Sequence, residues 1–401
     1  MLTATKDLVL PTTVTGSWPR PSWFTGNLHE RPFSTAMADV TYREQFVDGV
    51  GAVLNDQEFA GLDILTDGDY HLDADHAGRS WFIYPTERLE GMSEHALAYT
   101  NPMWSYPVGT WLNEIVGGWK FPLVVGKVGP RVPLEFAKIW RIAQARANRP
   151  VKFGTISADL ASAVLELGTD VYDDDKRQLM WDIAEIINAE LRELAAAGCE
   201  VIQVEEPAIH SSAAYGADSD MLDFLVDLFN RHVEGLDGVE VWVHTCWGNP
   251  GAQHCFDPDI SYENSIEIYL NRLNADVWTI ESKDNDHKPL ALFEPYKGTL
   301  EKKVAVGFIS HRTLSIESPE TVAADVRRAL EYIDAEHLVL SSDCGFGRQG
   351  VPRPVAYYKA AALAQGANIV RRELGFEETE VKAAEPMLQI DVPDSAPALV
   401  S

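Results

Sequence analysis

Cysteine is scarce. The 401-residue chain holds only Cys199, Cys246, Cys255 and Cys344, too few to staple a fold of this size with disulfides. That scarcity points to a reducing cytoplasm and makes each cysteine a candidate for metal binding or catalysis. Positive charge is also in short supply. Thirty-three Lys and Arg stand against 61 Asp and Glu, a formal charge of −28. A field of that sign repels nucleic-acid backbones and anionic membrane surfaces, and no Lys/Arg cluster offsets it. No apolar run reaches the ~20 residues that span a bilayer. The N-terminal Met-Leu-Thr-Ala-Thr-Lys-Asp lacks the long apolar core of a secretory leader. These absences predict a cytoplasmic protein that binds neither nucleic acid nor membrane.

What is present is an alternation. Short β-branched runs at 12–16, 62–66, 151–156, 201–205, 239–244, 277–281, 304–309 and 338–342 are near-continuously apolar, as strands buried on both faces of a parallel sheet are. Amphipathic runs lie between them. The clearest covers 174–197, with Leu179, Ile183, Ile186, Ile187, Leu191 and Leu194 on one stripe and Gly198 closing it. Ser318 and Pro319 open another helix that runs to about Ile333, and 354–374 forms a third that ends at Gly375. Eight strands, most followed by a helix, predict an α/β chain folded as a (β/α)₈ barrel. The doubly wound alternative lacks support because no GxGxxG follows the first strand.

Two regions break the repeat. Residues 84–130 are rich in aromatics, Pro and Gly (Tyr84, Trp104, Tyr106, Trp111, Trp119). They read as an insertion between the second and third strands with its own hairpin, either capping the barrel or simply packing on it. Residues 378–401 hold few large apolar side chains and several prolines and read as a disordered tail, which leaves 1–377 as one barrel domain.

Chemistry in such a barrel gathers at the C-terminal ends of the strands. Those ends read Gly16-Ser17, Asp67-Gly68-Asp69, Gln203-Val204-Glu205-Glu206, His244-Thr245-Cys246, Glu281, Ser310-His311-Arg312 and Asp343-Cys344. So many polar groups at one mouth are costly to bury unless paired or metal-bound. His244 and Cys246 are two residues apart on one strand and face the same side. Cys344 supplies a third soft ligand across the mouth, and a Cys₂His set with an open position is a catalytic zinc arrangement. Glu281 is the candidate fourth ligand. The competing reading makes the two cysteines packing residues and the histidine a satisfied polar group. Cys199 reads as core, and His254 and Cys255 as bystanders in the next loop.

The runs His244-Thr-Cys246-Trp-Gly-Asn, Thr-Ile-Glu281 and Asp343-Cys344-Gly-Phe-Gly resemble the catalytic barrel of cobalamin-independent methionine synthase. They look closest to its single-barrel relatives, which include epoxyalkane:coenzyme M transferase. Gly16-Ser17-Trp-Pro, Asp67-Gly-Asp69 and Gln203-Val-Glu205-Glu206-Pro-Ala fit the same pattern, so the resemblance covers nearly the whole chain. It implies zinc held by His244, Cys246 and Cys344, with Glu281 a ligand that an incoming thiol displaces. It also implies a small thiol across the mouth, its carboxylate held by the backbone around Ser17 and its ammonium by Asp69 and Glu205.

Three departures matter. The synthases carry Glu where this chain has Asp69 and Asp where it has Glu205, so charge is kept and reach changes. Ser157-Ala158 and Ile209-His-Ser-Ser stand where the synthases have folate-site segments, so a tetrahydrofolate donor is not supported. Arg312, with His311 before it, aligns with the histidine that assists the leaving group; neighbours on an extended chain cannot both face the site. The leading expectation is zinc-dependent alkyl transfer to a small thiol, first of all methyl transfer to homocysteine. Epoxide opening by coenzyme M comes second, with Arg312 and Arg348 as candidate sulfonate partners. A non-catalytic zinc or metabolite binder comes third. Uroporphyrinogen decarboxylase-like barrels share the shape without zinc, and the His-x-Cys…Cys set argues against them.

Overall fold

Seven parallel strands form the central sheet of the computed structural model: β1 (Leu65–Thr66), β2 (Val151–Ile156), β3 (Val201–Glu205), β4 (Glu240–Thr245), β5 (Val277–Ile280), β6 (Lys303–Ile309) and β7 (Leu338–Ser342). They pair in that order from one edge to the other. The structure describes residues 2–28, 31–73, 79–94, 97–98, 120–168, 170–247, 261–347 and 350–384.

The expected first strand, 12–16, differs. It contributes a single parallel bridge, Thr12 to Leu340. The reason is where its donors go. Pro11 has no N–H, the Thr12 N–H donates to the Asp63 carboxylate at 2.8 Å, and the Thr15 N–H donates to Ser342 Oγ at 2.9 Å. The segment still closes the ring. Leu340 N donates to Pro11 O and Thr13 N to Leu340 O on one side, while Ile64 N donates to Thr12 O on the other. Seven strands and one strand-like seam therefore complete the curled α/β sheet.

Inside the ring, Ile64, Val201, Trp242, Val277, Ala305 and Val339 form a separate apolar layer, with Leu2 and Ala4 packed against it. The two-residue period of a strand carries the same inward face onward to Gln203 and Glu205 on β3, His244 on β4, and Thr279 and Glu281 along β5. The site is thus built above a largely apolar floor.

The outer helices follow their caps. Asp175 accepts the Arg177 N–H and opens α1 (Lys176–Ala196), whose Leu179, Ile183, Ile187, Leu191 and Leu194 are buried while Ile186 is only partly so. Ser318 Oγ accepts the Thr321 N–H to open α2, which runs from Pro319 to Ala329. It stops short of Ile333, which follows in a turn bonded to Ala329 O. In α3 (Arg353–Leu374), Gly375 closes the helix at φ +82°, a conformation that favours glycine.

In the region expected as an insertion, Leu89–Met92 pairs antiparallel with Leu123–Pro130, and Glu166–Leu167 adds in parallel. Tyr84 belongs to the preceding helix, Arg79–Thr86. Trp104, Tyr106, Trp111 and Trp119 lie outside the described residues. The tail reading needs a correction at its start. Residues 378–384 are docked: Thr379 bonds Asn368 and Asp63, Arg371 reaches Thr379 Oγ1, and Ala383 is buried. Small polar side chains with specific partners hold this segment, which a count of large apolar residues does not register. Residues 385–401 lie outside the described residues. No helix among the described residues is long and apolar enough to cross a membrane.

Candidate metal centre

β4 delivers His244 inward and Cys246 just beyond its end. Cys344 follows β7 on the far side of the mouth. All three are buried, and their ligand atoms lie within 4.8 Å of one another. The turn that aims Cys344 is locked to the seam. Ser342 Oγ donates to Cys344 O at 2.9 Å, and the Phe346 and Gly347 N–H groups donate to Ser17 O at 2.9 and 3.1 Å. A Cβ on Gly345 would stand 2.8 Å from Ser17 N, so only glycine fits there. Ser17 and Cys344 are thereby brought to the same corner.

This group carries the marks of a cation site. Both ring nitrogens of His244 are buried and make no hydrogen bond. The hydrogen-bonded sulfur of Cys344, followed by burial, pushes the Cys246 thiol well above its ordinary pKa. A divalent ion satisfies one nitrogen of the imidazole and reverses the penalty on the thiolates. The residues present therefore fit zinc.

Glu281 falls in a second group with Asp284, His311 and Asp343, again within 4.8 Å, in which all but the partly buried Asp284 are buried. The Trp247 N–H, next to Cys246, donates to Glu281 Oε2 at 2.7 Å and ties the two groups together. Asp343 accepts the backbone N–H groups of Ser282, Lys283 and Asp284 at 2.7, 2.9 and 2.8 Å. The residue before Cys344 thus clamps the loop after Glu281.

His311 and Arg312 both reach this corner, because the chain turns instead of staying extended. Ser310 Oγ accepts the N–H groups of Arg312 at 3.0 Å and Thr313 at 3.3 Å. His311 is fully buried, with Nδ1 3.6 Å from Asp284 Oδ2 and 3.9 Å from Glu281 Oε1. Arg312 remains partly exposed, with Nε 3.7 Å from the same Asp284 oxygen. Burial lowers its pKa to about 10 against the opposing pull of Asp343, Cys344 and Cys246.

On the opposite wall, Asp69 adopts a left-handed backbone, φ +58°. Its carboxylate lies between two glycines: a Cβ at Gly16 or Gly154 would stand 3.4 or 3.3 Å from its oxygens. The Asp69 N–H donates to Asp67 Oδ1, and burial lifts the Asp67 pKa to about 6. Glu205 accepts from Gln203 Nε2 at 2.8 Å, and Gln203 Oε1 accepts from Lys152 Nζ at 2.7 Å. Burial draws the Lys152 ammonium down to about 7, opposed by Glu205, Asp69 and Glu240.

Sequence reasoning passed over Lys152, Asp284 and the clamp made by Asp343. A lysine in the second position of an apolar strand is a signal for the first. Asp284 lies past its strand end, where no periodicity marks it. His254, Cys255 and Arg348 lie outside the described residues.

Comparison with known proteins agrees with this architecture. Residues 10–365 match the family described as "Cobalamin-independent synthase, Catalytic domain". The methionine synthase of Sulfurisphaera tokodaii is 30% identical over 379 residues, 93% of this chain and 97% of that one. That of Saccharolobus solfataricus is 28% identical over 366 residues, 91% and 96% of the two chains. A solved structure of a B12-independent methionine synthase from Shewanella sp. W3-18-1, in complex with selenomethionine, superimposes with a TM-score of 0.73 at 26% identity. The match covers 92% of this chain and 99% of that one. The chain therefore belongs to the cobalamin-independent synthase catalytic-domain family.

Proposed function

We propose that the protein is a zinc-dependent methyltransferase that converts homocysteine to methionine. The observation that carries this reading is the convergence of His244, Cys246 and Cys344 beside two buried carboxylates, Asp69 and Glu205, at one mouth. His244, Cys246 and Cys344 would hold the ion. When bound, zinc supplies the positive charge that keeps a substrate sulfur ionised near neutral pH.

The chain's own residues do the rest. Asp69 and Glu205 receive the ammonium of the thiol substrate, and the backbone around Ser17 its carboxylate. Glu281 stands next to the thiol pair through Trp247 and, with zinc bound, would be the ligand that the substrate sulfur displaces. The sulfur forms its bond to the methyl carbon as the bond to the donor breaks. Arg312, the partly exposed member of its pair, meets the charge left on the donor. His311, buried between Glu281 and Asp284, lies within reach of both carboxylates. Two carboxylates at the mouth favour a thiol bearing an ammonium and disfavour the sulfonate of coenzyme M.

A free thiol is largely protonated at pH 7. Homocysteine added to the zinc-loaded protein at that pH is therefore expected to release about one proton per site. Calorimetry in two buffers of different ionisation enthalpy reads that number directly. Stoichiometric binding with no proton release, or no binding, would reject the reading; preferential binding of coenzyme M would replace it with the epoxide chemistry. Asp69→Asn is expected to raise the KM for homocysteine about tenfold, since a charge-assisted hydrogen bond is worth ~1.5–3 kcal/mol. The same substitution should leave binding of an amine-free thiol unchanged, and equal losses for both thiols would remove Asp69 from ammonium recognition.

A further inference from the structure

Beneath the mouth sits a buried lysine that the proposed chemistry does not use. Lys152 enters the ring from β2, and its Nζ lies 4.5 Å over the ring of Trp242 in the apolar floor. From there a single chain of side chains climbs to the metal centre. Lys152 Nζ donates to Gln203 Oε1 at 2.7 Å, and Gln203 Nε2 donates to Glu205 Oε1 at 2.8 Å. Glu205 Oε2 stands 3.5 Å from His244 Nε2. All four side chains are buried.

The polarity of this chain is fixed by its lower end. While Lys152 is charged it only donates, so the carbonyl oxygen of Gln203 faces it. The amide nitrogen of Gln203 then faces Glu205 and ties down one carboxylate oxygen. Turning the amide over would set donor against donor and acceptor against acceptor. Glu205 is thus held with its second oxygen presented to the imidazole. Glutamate, one methylene longer than the aspartate of the resembled synthases, has the reach for that position.

We propose that Lys152 and Gln203 are positioning residues that hold Glu205 where, once the ion is bound, its free oxygen takes up the Nε2–H of His244, now 3.5 Å away, and leaves Nδ1 to face the ion. The proposal rests on the zinc reading above. Metal-binding histidines generally donate their second ring N–H to such a partner, which fixes both tautomer and ring orientation.

The test uses the full chain, stripped of metal by a chelator. Zinc affinity is measured by competition with a chromophoric chelator, and the absorption of the Co(II)-loaded protein is recorded. Lys152→Met and Gln203→Met are compared with wild type, with Lys152→Arg as a partial rescue. Lys127→Met serves as control, Lys127 being 81% exposed. Lys152→Met and Gln203→Met should bind zinc about 10–100-fold more weakly. They should also shift the Co(II) bands, because the imidazole is no longer held; a purely structural role would leave those bands in place. Lys152→Arg should recover part of the affinity. If Lys152→Met does not fold, Gln203→Met, which changes no charge, carries the test. Wild-type zinc affinity and unshifted Co(II) bands in the folded variants would overturn the proposal while leaving the zinc reading intact. A wild-type protein that takes up neither metal would overturn that reading, and this inference with it.

Discussion

Cys344→Ser is expected to abolish stoichiometric zinc and cut methyl transfer about a thousandfold. A serine hydroxyl is a poor zinc ligand, so only His244 and Cys246 remain of the buried group. Loss of metal-ion catalysis at several kcal/mol of transition-state stabilisation corresponds to about three orders of magnitude in rate. The turn itself should survive. Its bonds do not use the Cys344 side chain: Ser342 Oγ donates to Cys344 O and Phe346 N to Ser17 O, and serine keeps both. Elemental analysis and single-turnover kinetics on the purified variant check both numbers, and metal-free melting temperatures check the fold. Full zinc content with wild-type turnover would remove Cys344 from the site.

Gly307→Ala is the second large effect, and it acts through Asp343, the residue before Cys344. A β-carbon there would overlap Asp343 Oδ1 and stand 2.8 Å from Asp343 Cα. Neither atom can yield cheaply. The carboxylate is pinned by three backbone N–H groups, and β6 and β7 already shift register between Gly307 and Ile309. Overpacking costs ~1–3 kcal/mol, and each N–H left without its acceptor adds about as much again. The expected loss is therefore about 3 kcal/mol or more, read by denaturant unfolding. Zinc should also weaken, because Cys344 follows Asp343 directly. Gly51→Ala is the control. Gly51 lies in the helix Val40–Ala60 with nothing within 4 Å of its added carbon, and alanine there should be neutral or slightly stabilising. Equal stability of the two variants would contradict the clamp.

The sequence was legible where period and chemistry coincide. The two-residue rhythm of β4 puts Glu240, Trp242 and His244 on one face, and the soft ligands announce themselves by type at strand ends. Capped helices were equally readable: Ser318 and Pro319 open α2 as their propensities demand. What escaped depends on partners far away in sequence. The 12–16 segment has a strand's composition, yet its donors are taken by Asp63 and Ser342, and no local pattern encodes that choice. His311 and Arg312 looked mutually exclusive until Ser310 bent the chain between them. Thr379 docks through side-chain hydrogen bonds that a hydrophobicity count cannot see. Lys152, a charged residue in an otherwise apolar strand, was passed over, and its meaning rests on Gln203 meeting it from the adjacent strand.

The seam has a consequence for assembly. A growing chain that has reached β4 already owns His244 and Cys246, but the corner that receives Cys344 does not exist until β7 has been made and has met the segment at 11–13. The segment at 11–13 and β7 are therefore obliged to find each other before the mouth can form, and the loop they close spans more than 300 residues. Partly folded or shortened chains carry half a site and no Ser17–Phe346 contact. Assembly of the mouth in this fold consequently waits on the chain from Pro11 through Gly347.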